Sequence, residues 1–349
     1  CEQLCYAPAS ELLERLLERH SGFSFSLALS GPLAEQLSAL APQRLDALRR
    51  LVGTGRVEPL SATSHHSLGW PLSPSELETQ IRLGRERVAR VLGREPAVFG
   101  GEQPTDAGEL ARLLESEGFS GMVLERFEGL SGPARRRIYR APSPGGLPAL
   151  LADEPLSEKI SRRFSDRRSA ESPLTAEEFD GWISAAPGDI LCLSMDLAIF
   201  GLVHPRESGI FEFFGAWVAR SLSRPDSRFL TPSEAFATVP AEALPRAAVS
   251  ARASNEMQRD AVEALAALEK RVRASDDEPL SEDFRRLTGA DHFARMALTR
   301  GDAAGAGNGD PFDSPYEAYM AFRHAVADLE RRLPRPRPER SLSAGPPPA

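Results

Sequence analysis

Cysteine is scarce: Cys1, Cys5 and Cys192 are the three present among 349 residues. Their spacing fits neither a disulfide framework nor a zinc site, which suits a reducing compartment, and Cys192 lies in an apolar run that reads as core. An excess of positive charge is also missing. Lys and Arg number 42 against 50 Asp and Glu, a net charge of -8, so nothing here grips a phosphate backbone and nucleic acid is excluded as a natural partner. No stretch approaches the roughly 20 apolar residues that span a bilayer, and the first residues lack a charged segment followed by an apolar one. The chain therefore reads as soluble and cytoplasmic, with no membrane partner. Ser30-Gly31 and Gly100-Gly101 sit in no G-x-G-x-x-G or Walker pattern, and no serine nucleophile elbow occurs. No H-x-x-x-H, H-E-x-x-H or paired Asp-Asp accompanies the histidines, which disfavours a metal-dependent deacetylase and implies no metal or cofactor. There is no internal repeat.

What is present is an alternation. From residue 8 to about 238, short apolar or β-branched runs alternate with longer helical patterns, the signature of βα units around a parallel sheet or barrel. The order starts with a helix, 11–20, then a strand, 23–30, a helix, 33–52, and a strand, 56–63; the pattern continues through SELETQIRLGRERVARVL, AVF, AGELARLLESE and SGMVLE. Helix starts are marked by capping boxes at Ser73–Glu76, Thr175–Glu178, Thr231–Glu234 and Ser314–Glu317. The run DILCLSMD, 189–196, predicts a buried strand ending in a carboxylate. In a parallel barrel that end faces the functional rim, where Asp196 would sit.

The composition changes near residue 239. Residues 1–238 read as the barrel, 239–254 as a linker and 255–333 as a helical domain with stretches at 255–274, 281–298 and 314–333. Leu265, Leu268, Phe284, Phe293, Tyr319 and Phe322 form apolar stripes that need a partner surface, expected to be the barrel. The tail, 334–349, is Pro-rich and polar and is expected to be disordered.

Few residues offer chemistry. SATSHHSLGWP, 61–71, puts His65, His66 and Trp70 just past a strand end; they suit either a sugar-facing rim or an ordinary loop. Acidic strand ends near Glu102 and at Asp196 could supply the two opposed carboxylates of retaining glycoside hydrolysis, about 5–5.5 Å apart. Either could equally cap a helix or take half of an ion pair.

The segments RHSGFSFSLALSGPLAEQL, TGRVEPLSATSHHSLGWPLSPSE, FSDRRSAESPLTAEEF, SMDLAIFG, ESGIFEFF, LTPSEA, NEMQRDAVEALAALE and DSPYEAYMAFRHAVADLE resemble, in order, α-amylase-type members of glycoside hydrolase family 57. The resemblance runs from about residue 1 to 333. It implies a distorted (β/α)7 barrel followed by an α-helical domain, acting on α-glucans such as starch, glycogen or maltooligosaccharides by a retaining mechanism, with a Glu nucleophile and an Asp acid/base. Asp196 falls on the acid/base. His66 falls on the histidine of the family's Tyr-Tyr-His motif, with Ser64 and His65 in place of the tyrosines. At the nucleophile, Phe99 and Glu109-Leu110-Ala111 anchor both sides, and the ungapped match puts Gln103 on the catalytic Glu; Glu102 becomes the nucleophile only through a one-residue shift. The motif Tyr-Glu-Thr-Phe-Gly-Glu-His becomes Leu197 to Val203, and Trp-Leu-Gly-Asn becomes Arg252-Ala253-Ser254-Asn255. The first barrel strand with its His-Gln-Pro motif is expected to be missing from this chain, which opens without Met. The resemblance thus implies an α-glucan protein with catalysis impaired at Gln103 and at most glucan binding retained; an active hydrolase or transferase using Glu102 and Asp196, and an interaction protein with no sugar site, remain the alternatives.

Overall fold

The structure, a computed structural model, describes residues 2–67, 72–101, 106–125, 127, 129–168, 172–245, 255–298 and 311–334. Its first unit runs α1 (Ala7–Arg19), β1 (Phe25–Ala28), α2 (Gly31–Leu40), α3 (Pro42–Gly53), β2 (Val57–Ser61), α4 (Pro74–Leu92), β3 (Val98–Gly101), α5 (Ala107–Ser116), β4 (Gly121–Leu124), β5 (Ile138–Arg140), β6 (Pro148–Leu151), α6 (Glu154–Ser161), α7 (Ala176–Ala185), α8 (Ile210–Ser223), α9 (Pro232–Thr238) and β7 (Ala241–Ala243). Seven strands make one sheet in the order β1-β2-β3-β4-β6-β5-β7. The run from β1 through β4 to β6 is parallel, β5 is antiparallel to β6, and β7 is parallel to β5. Parallel neighbours require crossovers, which the α2–α3 pair, α4 and α5 supply. Among the described residues the sheet does not close into a ring, so the α/β architecture is a distorted (β/α)7 barrel.

Alternation along the strands separates two apolar layers. Leu60, Val98, Val123, Leu150 and Ile138 share an inner cluster with Ala235 and Phe236 of α9. Phe99, Met122, Leu124, Ala149 and Leu151 point the other way, against Ile81 of α4 and Leu110, Ala111 and Leu114 of α5. The start of α9 is tied to β2, where the backbone N–H of Ser233 donates to Glu58 at 2.9 Å and its hydroxyl donates to the same carboxylate, so this buried charge is satisfied. A third cluster joins α1, α3, α7 and α8, with Trp217 edge-on to Phe179 and Phe214 at 5.4 Å.

The capped helix starts form as expected: Thr175 and Thr231 make full reciprocal boxes, and Ser73 and Ser314 accept from the N–H groups of Glu76 and Glu317. Three expectations change in this unit. The helix predicted over 33–52 is two, because Pro42 forces Ala41 out of the helical region, to φ -153°. The strand predicted at 189–196 is an extended run joined to β6 by a single bridge, Ala152 to Cys192. It still alternates, with Leu191, Leu193 and Met195 packed against one cluster and Ile190 and Cys192 against the inner one. The ladder stops because β6 ends there: Asp153 accepts the Leu156 N–H at 3.1 Å to cap α6, while its own N–H donates to Cys192 at 2.8 Å. The supposed linker 239–254 begins with β7, which pairs with β5; residues 246–254 lie outside the described ones.

The second unit contains α10 (Glu256–Ser275), α11 (Glu278–Leu287), α12 (Ala290–Arg295) and α13 (Pro315–Arg332). The stretch predicted as one helix over 281–298 splits where Gly289 starts α12. Leu265, Leu268, Phe284, Phe293 and Phe322 are buried, and Phe322 packs on Phe293 at 5.9 Å. Asn255 caps α10 and donates to the carbonyl of Met296 at 2.8 Å. Residues 335–349, expected to be a disordered tail, lie outside the described residues. No helix among those described is long and apolar enough to cross a membrane.

Candidate active site at the carboxyl ends of the strands

Parallel strands deliver their carboxyl ends, and the loops that follow, to one rim. Past β2, the chain turns through Thr63, whose hydroxyl accepts the Ser67 N–H at 2.8 Å. This turn lies against α4 at Gly84, where an added Cβ would stand 1.9 Å from the carbonyl oxygen of Ala62, so only glycine permits the approach. His65 is 2% exposed, its Nδ1 2.9 Å from the Ser64 hydroxyl. His66 is half-buried with φ +52°, a left-handed conformation uncommon outside glycine. It is thus the more open member of the pair.

Past β4 comes Glu125, an exposed carboxylate. Its backbone N–H donates to the carbonyl of Gly101 at 3.4 Å, and its Oε1 accepts from the Ser194 hydroxyl at 3.3 Å. The loop after it is organised by Arg135, a buried guanidinium that donates to the carbonyls of Phe127, Leu130 and Ala152 at 2.7, 2.8 and 2.9 Å. Arg136 pairs with Asp153 at 2.7 Å and Arg137 with Glu242. The basic run at 135–137 is therefore committed to internal staples, not to an anion.

Asp196 is exposed and caps a short 3-10 turn, Leu197–Ile199, its Oδ1 accepting the Ala198 N–H at 2.8 Å. The start of the chain lies beside it: the Cys5 thiol donates to the Leu197 carbonyl at 3.0 Å. Burial, reinforced by the Asp196 charge, pushes both Cys5 and the Tyr6 phenol up to about 12. Cys192 is likewise pushed up to about 12, by burial and then by Glu125 and Asp153. Neither thiol is a nucleophile at neutral pH, since reactivity belongs to the thiolate.

The segment after Asp196 mixes buried and exposed residues. Phe200 is buried, and Gly201, at φ +100°, leaves a gap that a Cβ would close to 1.9 Å from the Leu4 carbonyl. Leu202 and Val203 are 36% and 48% exposed. His204, by contrast, is inside the fold. It is 1% exposed, its Nε2 2.7 Å from the Ile160 carbonyl and its Nδ1 2.8 Å from the Ser165 hydroxyl, and burial lowers its pKa.

Asp196 and His66 thus both follow runs that end at the carboxyl rim, while Trp70, Glu102 and Gln103 lie outside the described residues. Sequence reasoning did not single out Glu125, which the structure joins to Ser194, or Tyr6, which feels the Asp196 charge. Glu125 carried the same signal that singled out Asp196, a carboxylate closing an apolar run in SGMVLE. Tyr6 carried none, because its place depends on how the first turn packs.

The family model for glycosyl hydrolase family 57 matches residues 2–250. A protein of Methanocaldococcus jannaschii provisionally described as an alpha-amylase is 27% identical over 350 residues, covering 93% of this chain and 74% of its own length. Among solved structures, a branching enzyme of Thermococcus kodakaraensis superposes with TM-score 0.68 at 14% identity, over 94% of this chain and 84% of that one. An alpha-amylase of Thermotoga maritima gives 0.65 at 12% identity, over 93% and 87%. A 4-alpha-glucanotransferase of Thermococcus litoralis gives 0.65 at 18% identity over 84% of this chain, which spans only 52% of that enzyme. At such identities the structural likenesses establish the fold alone, but the model match covers most of the chain, including the strands and the rim around Asp196. This protein belongs to glycosyl hydrolase family 57.

Proposed function

We propose that this chain is an α-glucan-binding member of its family in which the retaining reaction stops at the nucleophile position. The observation that carries the reading is Gln103, an amide where the ungapped resemblance puts the family's catalytic Glu. In retaining hydrolysis a carboxylate attacks the anomeric carbon while an acid protonates the departing glycosidic oxygen, and water then displaces the glycosyl ester with that acid acting as base. Asp196 suits the second role: it is exposed at the rim, and the Ala198 amide holds one of its oxygens. The amide of Gln103 has the shape of the missing partner but neither its nucleophilic oxygen nor the charge that would stabilise an oxocarbenium ion.

The exposed Leu202 and Val203 support the same reading, because they withdraw a carboxylate and an imidazole while Phe200 and Gly201 keep the framework. The substrate class rests on the relatives, whose names describe an alpha-amylase, a branching enzyme and a 4-alpha-glucanotransferase. The test pairs calorimetric titration of maltoheptaose with an assay for released reducing ends. Binding without release is expected. Turnover that disappears in Glu102→Gln would make Glu102 the nucleophile, and absence of both binding and turnover would leave an interaction protein without a sugar site.

A further inference from the structure

Glu125 stands between the two segments that the family's chemistry uses, and the retaining mechanism assigns it no task. Its backbone joins it to Gly101, the residue before Glu102 and Gln103, and its carboxylate accepts from Ser194, two residues before Asp196. A hydrogen bond fixes the side its carboxylate occupies. Glu125 lies one residue past Leu124, the end of β4, and its carboxylate meets the Ser194 hydroxyl at 3.3 Å. Cys192 belongs to the inner cluster while Leu193 and Met195 pack against another, so alternation puts Ser194 on the inner side, and its hydrogen bond brings the Glu125 carboxylate there. The backbone is still extended at Asp196, φ -77° and ψ 142°, so Asp196 follows on the same side, roughly 6.6 Å further along the run.

Resting on the reading of an α-glucan site, we propose that Glu125 is a specificity-determining residue of that site, its carboxylate accepting hydrogen bonds from adjacent hydroxyls of a glucose unit lying across the mouth beside Asp196. An ionised carboxylate is an acceptor with about four lone-pair sites, and the Ser194 hydroxyl takes one. No described cation forms an ion pair with Glu125. A surface carboxylate without a cation contributes little to folding, whereas two oxygens spaced to meet adjacent hydroxyls match a pyranose edge. Arg135 ties the loop at Phe127 and Leu130 to Ala152, so the carboxylate sits on a braced strand end and not on a free loop.

The test is calorimetric titration of maltoheptaose into the full chain and its Glu125→Ala, Glu125→Gln and Ser194→Ala variants, each with its melting temperature. Losing hydrogen bonds to a charged acceptor should weaken binding roughly tenfold to a hundredfold in Glu125→Ala, and less in Glu125→Gln, which keeps one carbonyl acceptor. Ser194→Ala should cost a few-fold by freeing the carboxylate's orientation, with melting temperatures unchanged throughout. Unchanged affinity in Glu125→Ala, or a loss that follows only a lower melting temperature, overturns the role of Glu125 while leaving the glucan reading intact. Absence of binding by the unaltered chain overturns that reading and the role together.

Discussion

Replacing Arg135 by Met tests whether the rim is held from within. The side chain is 8% exposed and its guanidinium donates to three carbonyls at 2.7–2.9 Å, with Glu154 3.2 Å away as counter-charge. Hydrogen bonds to a charged group contribute about 1.5–3 kcal/mol each, but three on one fork are not additive, and the freed carbonyls recover some solvation. Removing one partner from a buried charged network costs about 3–5 kcal/mol, so Arg135→Met should lose about 4 kcal/mol. At about 2–4 °C per kcal/mol for a unit of this size, that is a fall of roughly 10 °C in melting temperature. Arg135→Lys keeps the charge but not the planar fork and should recover less than half of the loss. The assay is thermal unfolding of the full chain followed by near-ultraviolet circular dichroism, because the affected loop packs Phe127 and Tyr139. A Met variant melting within about 2 °C of the parent would refute the reasoning.

Alanine normally stabilises the middle of a helix by about 1 kcal/mol over glycine, but Gly84→Ala should destabilise by about 2–3 kcal/mol, since its Cβ would meet the Ala62 carbonyl at 1.9 Å. Chemical denaturation measures the sign, and a stabilised variant would show the α4–β2 contact to be loose. His204 has its pKa lowered below the ordinary 6.5 by burial, so on acidification the unfolded chain takes up a proton first. Stability is therefore complete above about pH 6.5 and falls as pH drops from there towards the folded value. His292 shifts in the same direction. Denaturation midpoints at pH 7.5 and 5.5 should thus differ less in His204→Gln than in the parent, and an unchanged difference would contradict the assignment.

Much of this fold could be read from the residues because its signals are local. A serine or threonine at Ser73, Thr175, Thr231 and Ser314 with Glu three residues later satisfies N–H groups within a single turn, so those helix starts appear where spacing puts them. The misreadings depend on partners distant in the chain. The apolar run 189–196 has strand periodicity, but a ladder needs a neighbour, and β6 ends at Leu151. Residues 241–243 look like linker because their pairing strand, β5, lies a hundred positions away. In the site, Asp196 was legible as an acidic strand end and through resemblance. Glu125 needed only the first of these signals. The roles of Arg135 and Tyr6 depend on which carbonyls and charges the folded chain brings to them.

The claim that catalysis stops at Gln103 is tested most directly by steady-state release of reducing ends from maltoheptaose by the purified chain, measured beside Asp196→Asn and Glu102→Gln. Loss of a catalytic group costs several orders of magnitude, so the parent should release reducing ends no faster than either variant. Clear turnover by the parent that vanishes in both variants would contradict the account and assign the nucleophile to Glu102.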